Sequence, residues 1–228
     1  MLLCIIFSLT FPIHERLNYG GFYGPLRVGS SFMEIKEGKL NGEPVYIIQS
    51  LQKTEGIFSW FFGIDDYYCS YVDTASFSSI RFIKDIKEGK YKKKSTLNFT
   101  QDSVHYSSGK RTKKIPGAKD IFASLYWMRN LSFSSGDTLR IPFHSSGKNH
   151  EMLVPISGPY WIKVPMGKFE TYLLTPGVEG GRIFGSSDPI KIWVSLDSTH
   201  LPVKIKSNLS FGSISFVLES REIGEERK

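Results

Sequence analysis

The stretch from Leu201 to Leu218 limits what this chain can fold into more than any other. In LPVKIKSNLSF, Leu201, Val203, Ile205, Leu209 and Phe211 fall on one face, with Lys204, Lys206, Asn208 and Ser210 on the other. After Gly212 the pattern repeats, with Ile214, Phe216 and Leu218 set against Ser213, Ser215 and Glu219. Side chains alternate faces along a strand, so each segment reads as a strand with one buried and one wet face. Antiparallel sheets have this habit, whereas parallel strands are buried on both faces and read as continuous apolar runs. Leu139, Ile141 and Phe143 against Thr138, Arg140 and His144 show the same alternation.

Further strand-like segments are Leu26–Lys36, Val45–Lys53, Tyr67–Val72, Ser79–Lys87, Tyr91–Phe99, Glu151–Ile156, Tyr160–Val164, Phe169–Thr175 and Ile190–Ser195. Short turn signals separate them: Asn41-Gly42, Glu88-Gly89, Ser108-Gly109, Gly136-Asp137, Gly147-Lys148 and Met166-Gly167. Such dipeptides close hairpins at little conformational cost. The spacing predicts about ten to twelve strands in one meandering antiparallel sheet, with no linker or composition break. The fold class is all-β with one central helix, in a single domain over residues 14–222.

The helix is GAKDIFASLYWMRNL, Gly117–Leu131, apolar around most of its circumference and flanked by strand-like sequence. A helix greasy on most sides is buried on most sides. At roughly 18 Å long and 10 Å wide, it covers only two or three strands. The rest of an apolar sheet face must then bury against itself, so the sheet curls into a barrel, spiral or half-barrel. Beyond about eight strands such an interior needs a cavity or a plug.

Hydrophobic residues make up 40% and charged residues 22%, which excludes a disordered chain. Lys and Arg exceed Asp and Glu by 29 − 22 = 7, and the pI is near 9.3. A basic surface meets nucleic acid, anionic lipid or acidic polysaccharide, or is simply solvated. Residues 1–13 are apolar and shorter than a bilayer span, and read as the remnant of a signal peptide; the alternative is a buried first strand. Residues 223–228 read as a charged tail.

No catalytic or cofactor constellation stands out. There is no Gly-x-Ser-x-Gly elbow, no His-Glu-x-x-His, no CxxC pair and no dinucleotide glycine fingerprint. The five histidines sit at or near turn signals without metal-ligand spacing, and read as surface residues. Cys69 has no nearby partner and reads as a packed thiol. Asp65 and Asp66 are adjacent on a strand and so point to opposite faces, which rules them out as a paired-carboxylate site. Turn or capping duty suits them, with Asp66 the one open to ligand contact.

The basic run EGKYKKKSTLNF puts Tyr91, Leu97 and Phe99 on one face and Lys92 and Lys94 on the other. Without aromatics beside the charges there is no stacking platform for nucleic acid. Lys92 and Lys94 therefore read as a solvated strand edge, or as contacts for an anionic envelope polymer.

The order of the motifs ERLNYGGFYGPLRVG, GIFSWFFGIDDYYCSYVD, IRFIKDIKEGKYKKK, IPGAKDIFASLYWMRNL, GDTLRIPF, VPMGKFETYLL and IKIWVSLDSTHLPVKIKSNLSFGSISFVL resembles the bacterial family known as domain of unknown function 3108. The likeness runs from about residue 14 to residue 220. It implies an exported, all-β protein of the Gram-negative-type envelope, periplasmic or associated with the outer membrane. The family supplies no catalytic residues. A weaker analogy is with the curved-sheet lipoprotein carriers of the periplasm, which hold acyl chains in a concave sheet.

These readings converge on a monomer without cofactor whose curled sheet binds a lipid or other hydrophobic molecule, with the helix as plug or lid. Candidate contacts are Phe58, Trp60, Phe61 and Phe62 in GIFSWFFGI, together with Asp66, Tyr126 and Trp127. The competing reading is a structural or interaction protein that holds its partner with a sheet edge or its basic face. An enzyme acting on cell-wall material comes third, for want of a visible nucleophile and base.

Overall fold

The computed structural model describes residues 9–61, 63–178, 190–209 and 212–224. Phe62, residues 1–8, Ser210, Phe211 and residues 225–228 of the charged tail lie outside them. Alternation becomes a row of strands: β1 (Glu15–Tyr23), β2 (Leu26–Leu40), β3 (Glu43–Thr54), β4 (Asp65–Asp73), β5 (Ser79–Glu88), β6 (Tyr91–Phe99), β7 (Ser103–Tyr106) and β8 (Arg111–Lys113). A four-residue helix, α1 (Phe58–Phe61), interrupts the connection from β3 to β4. After α2 (Ile121–Arg129) come β9 (Thr138–Ser145), β10 (Lys148–Val164), β11 (Gly167–Leu174), β12 (Gly177–Val178), β13 (Lys191–Ser195), β14 (Pro202–Leu209) and β15 (Gly212–Ile223).

All belong to one antiparallel sheet. Its spatial order is β8–β7–β6–β5–β4–β3–β2–β1–β15–β14–β13–β11–β10, and the first half of β10 pairs with β9 on one side and β12 on the other. The first and last strands meet in the middle of this row, where β1 pairs with β15 from Glu15↔Ile223 to Tyr23↔Ile214. Fifteen strands among the described residues exceed the ten to twelve expected. β1 was missed because Gly20 and Gly21 interrupt the alternation that Arg16, Leu17, Asn18 and Tyr19 begin. Glu151–Ile156 and Tyr160–Val164 read as two strands, yet the chain runs through both as β10, with a register shift between Ser157 and Tyr160. Asn41-Gly42 closes the β2–β3 hairpin with both residues at positive φ (55° and 91°), the geometry a two-residue turn needs.

The sheet curls without closing. Its free edges, β8 and β9, are not joined by a ladder, and the gap is stitched in two ways. Backbone before α2 runs beside β9, where Lys119 N–H donates to Pro142 O (2.9 Å) and His144 N–H to Lys119 O (3.0 Å). Side chains do the rest around His144. Asn149 Nδ2 donates to Lys113 O on β8 (3.1 Å), which turns Asn149 Oδ1 towards His144 Nδ1 (2.8 Å). Nδ1 therefore carries the proton, and Nε2 accepts from the Tyr106 hydroxyl (2.8 Å). The expectation that the histidines are surface residues fails here and at His200: their exposures are 2% and 8%. Unpaired edges need polar partners, and these two histidines supply them.

α2 plugs the curl. Asp120 is the N-cap, and Oδ1 accepts from the backbone of Phe122 (3.0 Å) and Ala123 (3.1 Å). Its Oδ2 accepts from Ser70 (2.5 Å) and Ser79 (2.7 Å), fixing the helix start to β4 and β5. Phe122, Leu125, Tyr126 and Met128 are buried in the common core, each worth about 1.5–3 kcal/mol of burial. Phe122 packs against Tyr68 and Phe82 of the sheet. At the C-terminal end Arg129 is 1% exposed and donates to Glu15 Oε2 (2.6 Å) and Oε1 (3.1 Å), and Glu15 is also held by Arg221 (2.8 Å). Leu9 and Phe11 pack into the same core, so the described part of the segment read as a signal-peptide remnant is built into the domain.

Candidate functional site

Antiparallel order decides which loops share an end. The connections β1–β2, β3–β4 and β5–β6 all fall at one end of the sheet, and the partners of α2 fall at the other: Glu15 starts β1, Ser79 starts β5 and Phe77 lies between β4 and β5. The end away from α2 carries Tyr23, Leu26, Ile57, Trp60, Phe61 and Tyr91, six of the eleven large apolar or aromatic side chains exposed among the described residues.

α1 forms there because Gly56 (φ 58°) turns the chain out of β3 and Ser59 N–H donates to Gly56 O (3.2 Å). One turn buries nothing: Trp60 is 90% exposed, Phe61 82% and Ile57 68%, while Phe58 is half-buried. The neighbouring β5–β6 hairpin is tied to it by Gly89 N–H donating to Gly63 O (2.7 Å) and a bridge between Ile64 and Glu88. An open groove of about 370 Å³ runs between them, lined by Lys53, Trp60, Phe61, Ile64 and Lys87 among others.

Charge around the groove is mostly positive. Lys87 lies 3.7 Å from Asp65, and Lys94 3.7 Å from Asp85. Asp66 points inward, as its place beside Asp65 on a strand requires, and its Oδ1 accepts from Lys87 N–H (2.8 Å). Burial raises the Asp66 carboxyl above its ordinary value, and burial together with Asp66 raises Glu88. Among the described residues Lys53, Lys90, Lys92 and Lys93 have no carboxylate at ion-pair distance.

The candidate contacts thus separate. Trp60 and Phe61 stand in solvent at one end, and Phe62 lies outside the described residues. Tyr126 is fully buried at the far end, edge-on to Phe11 (5.4 Å), and its hydroxyl has no hydrogen-bond partner. Trp127 is half-buried between Phe77 (6.2 Å) and Lys119 Nζ (4.5 Å). Lys119 is 3% exposed, and burial lowers its ammonium to about 8. Lys92 is exposed, as is Lys94. Cys69 is buried, which raises its thiol. Ile57, Lys53 and Lys90 were missed; the parity of antiparallel connections is the signal that would have found them.

Among the described residues no three His, Cys, Asp or Glu side chains gather as metal ligands, and no helix is long and apolar enough to cross a membrane. By its sheet order and core the molecule is a β-barrel-like protein, a curled and unclosed antiparallel sheet plugged by α2. The chain belongs to the family described as "Protein of unknown function (DUF3108)", whose model matches residues 16–219. No curated protein matches it. Among solved structures it is similar to a "beta-barrel-like protein of domain of unknown function DUF1849" from Brucella abortus, at 12% identity and TM-score 0.62, covering 94% of this chain and 99% of that one. A DUF1089 family protein from Pseudomonas aeruginosa aligns at 12% identity and TM-score 0.40, over 76% of this chain and 87% of that one. The first likeness concerns the fold alone.

Proposed function

We propose that this is a non-enzymatic, monomeric protein of the bacterial cell envelope that works by docking, through the end that bears Trp60 and Phe61, on a partner. The observation that carries the reading is the division of labour between the two ends. One is filled by α2 and sealed by buried polar bonds; the other displays Ile57, Trp60 and Phe61 beside unpaired lysines. Exposed apolar residues gathered in this way cost solubility, and they mark interaction surfaces. The envelope location follows the export that the family resemblance implies.

A photo-crosslinking residue at position 60, with position 41 at the opposite end as control, tests the reading in the native host. Crosslinks at 60 and none at 41 are expected; equal labelling at both, or none at either, overturns it.

A second reading keeps the hydrophobic ligand inside the curl. Ile86, Ile205 and Phe216 are only partly buried, leaving part of the inner surface accessible. Lipid retained in stoichiometric amount by the purified protein, detected by native mass spectrometry, would favour that reading over docking.

A further inference from the structure

The chemistry of the exposed end identifies its partner, and the inference rests on the docking reading above. Three features act together. Trp60, Phe61 and Ile57 project from a turn too short to bury any of them. An indole with a polar N–H and an apolar body suits the headgroup boundary of a bilayer, where Trp and Tyr concentrate. Tyr91, 53% exposed on the adjoining hairpin, adds a second amphipathic ring.

The lysines follow the same plan. Lys53 and Lys87 line the groove beside Trp60, and Lys92 sits directly across the strand pair from Lys87. Lys90 occupies the hairpin turn. Four nearby carboxylates have partners: Glu55 the Ser30 hydroxyl, Asp65 Lys87, Asp85 Lys94, and the buried Asp66 the Lys87 N–H. Burial and Asp66 raise the Glu88 carboxyl above its ordinary value. Lys53, Lys87, Lys90, Lys92, Lys93 and Lys94 stand here against Glu55, Asp65, Asp66, Asp85 and Glu88, an excess of one lysine, and long lysine stems let an ammonium reach phosphate headgroups while the rings go deeper.

Shape completes the case. The groove is open rather than enclosing, so it cannot desolvate a small ligand on all sides as a binding pocket does. The tips of β1–β2, α1 and β5–β6 fall at one end of a curled sheet and present a broad front, with Tyr23 and Leu26 on its other flank. A front of aromatics and lysines fits a plane.

We infer that this end docks on the surface of an anionic lipid bilayer, Trp60 and Phe61 entering the boundary between headgroups and acyl chains while Lys53, Lys90 and Lys92 face lipid phosphates. The protein lies on the membrane by this end and does not depend on a lipid held in its interior.

Flotation of the full chain with vesicles tests this. Phosphatidylcholine vesicles containing phosphatidylglycerol carry the protein upward; pure phosphatidylcholine vesicles carry much less, and added salt releases it. Trp60→Ser/Phe61→Ser and Lys90→Glu/Lys92→Glu each lower partitioning by about tenfold or more, with unchanged melting temperature. Wild-type protein that stays at the bottom of the gradient, or variants that float as well as wild type, overturn the inference. If flotation fails while position 60 still crosslinks to a protein, docking survives and the lipid surface is wrong. If both fail, both readings fall. Self-association in sedimentation velocity that is lost with Trp60→Ser assigns the end to a second copy of the chain and also overturns the membrane partner.

Discussion

Replacing Glu15 by Gln tests the ion cluster that fastens the plug to the sheet. Glu15 is 0% exposed and accepts from two guanidinium groups, Arg129 from the end of α2 and Arg221 from β15. Arg129 is held on every side: Nε donates to Thr199 O (3.1 Å), and the guanidinium lies over Phe11 (4.3 Å) and Tyr126 (5.2 Å). It cannot turn to water when its counter-charge is removed. Arg221, with 19% of its side chain exposed, can. Leaving one buried charge uncompensated costs about 3–5 kcal/mol. For a chain of this length each kcal/mol lowers the melting temperature by roughly 2–4 °C, so Glu15→Gln should melt roughly 6–20 °C below wild type. The companion variant Glu15→Gln/Arg129→Met removes both charges and keeps an apolar stem over Phe11, and it should recover most of that loss. Thermal unfolding followed by calorimetry at one pH and protein concentration measures all three. A single variant within about 2 °C of wild type, or a double variant that melts no higher than the single, refutes the view that burial of an unpaired Arg129 sets the cost.

Leu125→Asp puts a charge in the middle of the plug and should leave the chain unfolded by circular dichroism; a retained cooperative melt would place α2 outside the curl. Tyr126→Phe removes a buried hydroxyl with no hydrogen-bond partner and should raise stability by about 1 kcal/mol, and a lower melting temperature contradicts it. His144 and His200 are lowered by burial, so the unfolded chain takes up protons that the folded one refuses, and both contribute stability that is lost as pH falls below about 6.5. The raised carboxyls of Asp66, Glu88 and Asp120 act in the opposite sense, so the histidine part is isolated by subtraction: His144→Gln should show a shallower loss of urea stability between about pH 7 and 5 than wild type.

Much of the architecture was legible because its signals are local. Alternation at Leu201–Leu218 marks β14 and β15, and Asn41-Gly42 marks their counterpart turn between β2 and β3. The greasy helix was found within a few residues of its ends, and Asp120, inside the segment read as helix, caps it. Strands lacking clean alternation were lost: β1 because two glycines lie in it, β7 and β8 because they are only four and three residues long. Trp60 and Phe61 were picked out as aromatics and then grouped with Tyr126 and Trp127. Periodicity cannot measure the distance between an exposed turn after β3 and a helix at the far end.

By itself the sequence determined that this chain is strands with one wet face, that the sheet has to curl, and that one helix is buried on most of its sides. Those follow from side-chain period and from the need to hide apolar surface. Only the tertiary structure decided that Glu15, Arg129 and Arg221 meet, across separations of 114 and 206 residues, and that His144 seals the open seam. Buried charges and unpaired strand edges are stabilised by partners that arrive from anywhere in the chain, and no local pattern records which partner comes. The same holds for the aromatic and lysine end: antiparallel pairing, not proximity in sequence, gathers Tyr23, Trp60 and Lys90 on one front.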